Sequence, residues 1–435
     1  MNMVRIFGLY SGQRMNEGKT AVMVHGAEMQ QEVRNFYMDK LKQKINIIGI
    51  VYSFSEDCVK ENVLKTMKKM EKVVEVNKTR NLTMYGKIQI IKTKLIPLIF
   101  PKMQCLMMAN HVTEINNMLW NFFWYPQKHR TLTNDQLVVD YTFGGLNMVD
   151  IISRYKASTV YKLKEIAKSN DKKEFWIKYA YYNIGSVLKC VNSKLYNNLE
   201  PHAFAADVYW NEVRSILLEY GDELNQMVWE SIKLKELYVI IKGKSLGSII
   251  ADGKPWKNIQ LLNKSIKRHF TNFEREISFL IAHDAYWFGQ KRRYLLPFID
   301  VENWMNDNCK FCNCTMDNTY HLFKSECVVI KQVLLSCKHF FWFLTGESID
   351  IKEDMIIYNE IHSRDFQKNF KNSNIPLGLL KLKMISILKR VLIERKLKLD
   401  KFNKFVTLEK RQDFINLVLC DIRLSLGFFI KNYLK

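Results

Sequence analysis

Cys309, Cys312, His321 and Cys327 bring four soft or borderline donors into one short window, Cys-Lys-Phe-Cys-Asn-Cys-Thr-Met-Asp-Asn-Thr-Tyr-His-Leu-Phe-Lys-Ser-Glu-Cys. A Cys-x-x-Cys pair makes a tight knuckle. A histidine and a further cysteine downstream complete a spacing that suits one tetrahedral ion, zinc above all. Cys314 is a substitute for Cys312 that the spacing leaves open. Four protein ligands leave no position for water, so the zinc would be structural. A segment this small has little apolar core of its own, and metal binding would drive much of its folding. Leu322 and Phe323 are placed to pack behind the ion, while the second ring nitrogen of His321 calls for a carbonyl or carboxylate. The competing reading is a group of reduced thiols beside a packed histidine.

The elements that must position this window are mainly helical. The chain has 435 residues, 48% of them hydrophobic, enough for roughly three domains with sizeable cores. Only 7 prolines and 17 glycines occur, which favours helix over an all-β architecture. Nine cysteines without an N-terminal charged-then-apolar signal point to a reducing, intracellular compartment, nucleus or cytoplasm. A net charge of +22 implies a polyanionic partner. RNA and DNA lead; an acidic membrane surface is the rival, but no apolar run approaches the length of a bilayer span, so no membrane is expected.

In chain order, Met3, Val4, Phe7 and Tyr10 mark a short helix, and the segments 19–25 and 45–53 read as two strands. From Val59, the residues Val63, Leu64, Met67, Met70, Val73 and Val74 form one helical face with lysines mostly elsewhere. Arg80, Lys87, Lys92 and Lys94 then interrupt a second apolar helical pattern, either as a solvated face or as a clamp on phosphates. Thr113 is placed to cap a helix whose Ile115, Leu119, Trp120, Phe123 and Trp124 belong to the core rather than to base stacking. Phe143-Gly-Gly-Leu146 makes a turn that glycine permits cheaply, ahead of a helix from about Ser153 to Ile166.

Residues 170–300 read as helices rich in Trp and Tyr, with a polar break from Gly243 to Lys257. Lys291, Arg292 and Arg293 lie just before the knuckle and form a candidate nucleic-acid surface. Phe340 to Phe343 are expected to pack against the knuckle. The lysine-rich helix from Ile375 to Leu399 is expected to bury one face and turn the other to water or phosphate.

Five of these patterns, in order, resemble the C-terminal half of a non-LTR (long interspersed element type) retrotransposon reverse transcriptase. Ser11-Gly12-Gln13-Arg14-Met15-Asn16-Glu17-Gly18-Lys19-Thr20 is similar to that family's motif D, and Ile45 to Gly49 to its motif E. The stretch from Arg80 to Lys92 is similar to the thumb segment, Gly144-Gly145-Leu146 to the turn after the thumb, and the Cys309 window to the C-terminal zinc-binding region. Two departures stand out: isoleucines replace the usual aromatics at Ile45 and Ile47, and the His321–Cys327 interval is one residue longer than usual.

The resemblance implies a mainly α fold: helical thumb and connector bundles, a small residual β hairpin of a truncated palm, and a zinc knuckle. It divides the chain into a palm edge (1–58), thumb (59–165), connector (166–300), knuckle (301–337) and basic helical C-terminal region (338–435). It also implies that Lys19 is the motif D lysine, a proton donor to pyrophosphate in a whole enzyme. Nucleotidyl transfer needs two divalent metals held by carboxylates. The family draws these from upstream motifs that include Tyr/Phe-x-Asp-Asp, a tetrapeptide this chain lacks. The expectation is therefore no catalytic residue, no catalytic magnesium and no polymerase activity from this chain alone, with sequence-tolerant RNA and DNA binding retained.

Overall fold

The computed structural model describes residues 21–24, 41–47, 49–53, 55, 57–126, 130, 132–168, 179–180, 183, 208–224, 227–250, 269–285, 308–313, 319–323, 326–349, 351, 365, 368–370, 375–401, 406–407 and 409–433. Helices dominate these residues, as the composition implies, and one antiparallel hairpin, β1 (Lys44–Ile47) with β2 (Ile50–Ser53), accompanies them. The helices in order begin with α1 (Cys58–Lys78), α2 (Met84–Ile90), α3 (Ile96–Cys105), α4 (Ala109–Trp124), α5 (Asn134–Val138), α6 (Ile151–Tyr161) and α7 (Leu163–Lys168). They continue with α8 (Val208–Glu219), α9 (Gly221–Leu224), α10 (Leu234–Ile250), α11 (Asn272–Ala282), α12 (Thr319–Phe323), α13 (Val328–Thr345), α14 (Leu377–Lys401) and α15 (Arg411–Tyr433).

The chain forms two units: Met1–Val76, Thr93–Asn116 and Ile151–Tyr238 make the first, and Asn77–Lys92, Asn117–Asp150 and Val239–Lys435 the second. In the first unit the segment read as one strand is a hairpin, because Gly49 takes a φ of +78° and reverses the chain. Asn62 of α1 pins it: the Val51 N–H donates to Asn62 Oδ1 at 2.9 Å, and Asn62 Nδ2 donates to the Val51 carbonyl at 2.6 Å. Val63, Met67, Met70 and Val74 form the buried face of α1. Tyr155 of α6 accepts from the Met108 N–H at 3.1 Å and donates to Glu212 of α8 at 2.8 Å.

A π-helical turn, Ile91–Leu95, joins α2 to α3. Pro97 has no N–H for the Thr93 carbonyl and its ring would press on it, so the turn widens instead of closing as α-helix. Two other boundaries differ from the sequence reading. Thr113 lies inside α4, which begins at Ala109, and α10 runs on through Gly243 to Ile250. Burial on α4 begins before that apparent cap, at Val112, and continues through Ile115, Leu119, Trp120, Phe123 and Trp124, all in the core.

The core of the second unit is built around α14, flanked by α11, α13 and α15. Every residue from Leu377 to Lys389 is buried, so α14 is a central helix and not a half-solvated one. The lysine stems supply apolar length, and three ammonium groups meet specific partners. Lys381 pairs with Asp365 at 2.9 Å, Lys383 with Glu274 at 2.7 Å, and Lys396 sits 5.8 Å over the ring of Phe311. Lys389 is 0% exposed, and burial pushes its ammonium down to about 7.

By length and composition alone the stretch His321–Thr345 reaches the size of a membrane span, which corrects the reading that no apolar run approaches that length. Its apolar character has a use in the fold: Val329, Ile330, Val333, Leu334, Cys337 and Phe341 of α13 all enter the core. Of the aromatic run, Phe341 is buried and Phe340 partly so, whereas Trp342 and Phe343 are 59% and 80% exposed. A helix cannot turn four consecutive side chains to one side.

Gly145 has no room for a side chain, since a Cβ would lie 1.8 Å from the Val139 carbonyl oxygen, whereas a Cβ on Gly243 in α10 would meet nothing within 4 Å. In urea unfolding, Gly145→Ala is expected to cost roughly 2–4 kcal/mol, and Gly243→Ala to gain about 0.5–1 kcal/mol. Lys389 gives a pH signature. Its folded pKa lies below its unfolded value, so between about pH 7 and 10 the unfolded chain binds the extra proton and stability rises with pH. Relative to Lys389→Met, the wild-type chain should gain up to about 1.4 kcal/mol per pH unit across that window and nothing below it.

Candidate metal centre

The four sequence-selected donors meet. The ligating atoms of Cys309, Cys312, His321 and Cys327 all lie within 4.8 Å of one another, and all four residues are buried. The Cys309 and Cys327 sulfurs are 4.0 Å apart, and Cys312 Sγ is 3.1 Å from His321 Nε2. Ligands at the usual zinc distances on a tetrahedron stand about 3.8 Å apart for two sulfurs and about 3.5 Å for sulfur and nitrogen. These two separations fall on either side of those values and no pair exceeds 4.8 Å, so shifts of up to about one ångström would seat an ion. Cys312 occupies the position for which the spacing also allowed Cys314, and Cys314 lies outside the described residues.

Local backbone explains the convergence. The Asn313 N–H donates to the Cys309 carbonyl at 2.8 Å, and Asn313 takes a φ of +60°, which curls the knuckle back on itself. The N–H groups of Phe311 and Cys312 point at Cys309 and favour its thiolate, but without a cation the Cys327 sulfur, followed by burial, holds the thiol well above its ordinary range. His321 is carried on α12, and its carbonyl accepts from the Cys327 N–H at 2.9 Å, bringing Cys327 to the N-cap of α13. The other ring nitrogen, Nδ1, lies 3.9 Å from the Glu326 carboxylate, longer than a hydrogen bond but on the side where the orienting partner is required. Glu326 was not singled out from sequence; its place next to the final cysteine was the available signal.

The centre is not an autonomous knuckle. Cys309, Phe311, Cys312 and Cys327 belong to the same apolar core as α13, α14 and α15. Phe311 packs against Phe414 of α15 with ring centroids 5.1 Å apart, and the Val406 N–H donates to the Lys310 carbonyl at 3.0 Å. Leu322 and Phe323 are buried behind the ligands, as expected. Three sulfurs and an imidazole suit a thiophilic divalent ion and not magnesium or calcium, which require oxygen. A buried Cys3His group able to hold a metal is therefore part of this fold.

The basic candidates divide differently. Arg80 and Lys94 are exposed, and Lys92 is half-buried with its ammonium lowered first by burial, then by Lys242, against an opposing pull from Asp140. Lys87 turns into the protein: its ammonium donates to the carbonyls of Phe123, at 2.9 Å, and Tyr125, where it neutralises the C-terminal end of α4. Burial lowers its pKa, partly opposed by Glu276. Lys19, Lys291, Arg292 and Arg293 lie outside the described residues. No family model and no curated protein matches the chain.

Stripping the metal from the purified chain with a chelator should lower its thermal unfolding midpoint and open Cys309 and Cys327 to alkylation. Cys327→Ser should lose several kcal/mol and most metal affinity. An unchanged midpoint and unchanged alkylation after chelation would show that packing alone holds the cysteines together.

Proposed function

We propose that this chain is a nucleic-acid-gripping portion of a reverse transcriptase of the non-LTR retrotransposon type, with structural zinc at Cys309, Cys312, His321 and Cys327. The observation that carries this reading is the burial of those four donors within 4.8 Å of one another, at the place the resemblance assigns to a zinc-binding region. The net charge of +22 and the exposed Arg80 and Lys94 support phosphate contact. Contacts of that kind position a duplex without reading its sequence. Lys92 joins them from a half-buried position, whereas Lys87 serves α4 instead.

Polymerisation requires carboxylates that hold two metal ions. Because the chain contains no Tyr/Phe-x-Asp-Asp, the activity we assign to it is binding without nucleotide addition. Lys19 has no chemistry to perform in the absence of such a metal pair. A second reading, a basic helical zinc protein with a scaffold role on acidic protein partners, shares the metal and the charge but predicts no preference for nucleic acid.

Binding to an RNA hairpin should fall steeply as salt rises, with log affinity linear in log salt concentration. Arg80→Ala and Lys94→Ala should each reduce the magnitude of that slope by about 1, whereas Lys87→Met should lower stability and leave the slope unchanged. A salt-independent interaction, or equal competition by an acidic protein, would favour the scaffold. Primer extension on an RNA template with magnesium should yield no product above a mock preparation; product formation would contradict the assignment.

A further inference from the structure

Helix α13 leaves the metal centre at Cys327 and turns to solvent a second face that the core does not use. Val328, Leu335 and Trp342 recur every seven residues and so lie along one line of the helix, all three exposed, with the still more exposed Phe343 beside the last. Four large apolar side chains open along one line form a patch and not a scatter. The helix contains no Asp or Glu, and its charged residues are Lys331 and Lys338. Lys338 precedes Trp342 by one turn, and at the same end of α13 the exposed Arg423 of α15 holds its guanidinium 5.1 Å from the centroid of the Phe340 ring. Glu347, just past the helix, is paired with Lys368 at 3.2 Å. Trp342 stands roughly 22 Å along the axis from Cys327, well clear of the metal ligands.

The chemistry of this face narrows its occupant. A second copy of the chain would set lysine against lysine, since α13 has no carboxylate to answer them. A bilayer takes up a continuous apolar face whose cations lie on the opposite side. The continuous apolar face of α13 is already in the core, and the exposed one interleaves its apolar residues with Lys331, Gln332 and His339. An unpaired polynucleotide fits on both counts: phosphates answer the cations, and every base has a flat face for an aromatic ring. In a duplex those faces are stacked on one another and only phosphate, sugar and groove edges are offered, so rings open to solvent suit a single strand. Trp342 and Phe343, about 100° apart around the helix, present two such rings.

We infer that the exposed end of α13 is a stacking platform for single-stranded RNA or DNA, with Trp342 and Phe343 each taking one base and Lys338 and Arg423 supplying positive charge beside them. The inference rests on the nucleic-acid-binding reading and adds a strand preference to it. The test uses the full chain with a labelled oligouridylate and a labelled RNA duplex of equal length, compared by fluorescence anisotropy at fixed salt. Trp342→Ala combined with Phe343→Ala should weaken single-strand binding about fivefold or more and leave duplex binding and the thermal midpoint unchanged. Trp342→Tyr should keep the single strand bound, whereas Trp342→Leu, apolar but without a ring, should lose affinity as Trp342→Ala does. An unchanged single-strand affinity in the double variant, an equal loss for strand and duplex, or full binding by Trp342→Leu would overturn the platform, and salt-dependent binding by the wild-type chain would leave the general grip standing. Loss of anionic-vesicle binding or of self-association in the double variant, with single-strand affinity intact, would overturn it in favour of lipid or a second copy. Binding of neither probe by the wild-type chain would overturn both readings.

Discussion

Burying polar and ionisable groups without leaving them unmatched is the constraint on which the second unit depends. Its core takes in four lysines on α14 and four potential metal ligands around Cys309, where an ordinary helical core would hold only aliphatic side chains. A buried charge is tolerated when it is paired, hydrogen-bonded or neutralised. Lys381 and Lys383 take the first route through Asp365 and Glu274, and Lys389 takes the last by losing its proton more readily. Three buried cysteines and a histidine can stay neutral as thiols and imidazole, or give up the thiol protons to a cation. An ion would displace the thiol protons, replace the sulfur–sulfur hydrogen bond with two metal–sulfur bonds and lock α12 to the start of α13.

Joining the metal centre to the α14 core changes what zinc would stabilise. A free-standing knuckle folds and unfolds by itself, with the metal as its only substantial support. Here Phe311 packs on Phe414, the Lys310 carbonyl accepts from Val406, and Lys396 of α14 lies over the Phe311 ring. Metal occupancy would thereby be linked to the stability of the whole α14 core. The thermodynamic linkage is reciprocal: whatever stabilises the α14 core also raises metal affinity.

Much of this could be read from residues alone, and the failures share a cause. The cluster of four donors was legible because ligand chemistry acts through residue type and spacing, which sequence states directly. The buried face of α1 and the aromatic core of α4 were legible because periodicity reports burial. Periodicity failed on α14, where lysines on every side suggested a solvated face although their aliphatic stems fill core space and their ammonium groups find partners as distant in sequence as Glu274. Lys87 misled in the same way, since a lysine directed to phosphate and one directed to a helix C-terminus look identical without a tertiary partner. The hairpin was read as a single strand because the role of Gly49 depends on its φ and not on its neighbours.

The most direct test of the central claim is X-ray absorption at the zinc edge on the purified full chain. The account predicts about one zinc per chain, with a first shell of three sulfurs near roughly 2.3 Å and one imidazole nitrogen near roughly 2.0–2.1 Å. A shell dominated by oxygen and nitrogen, or a chain that is folded and holds no zinc, would contradict it.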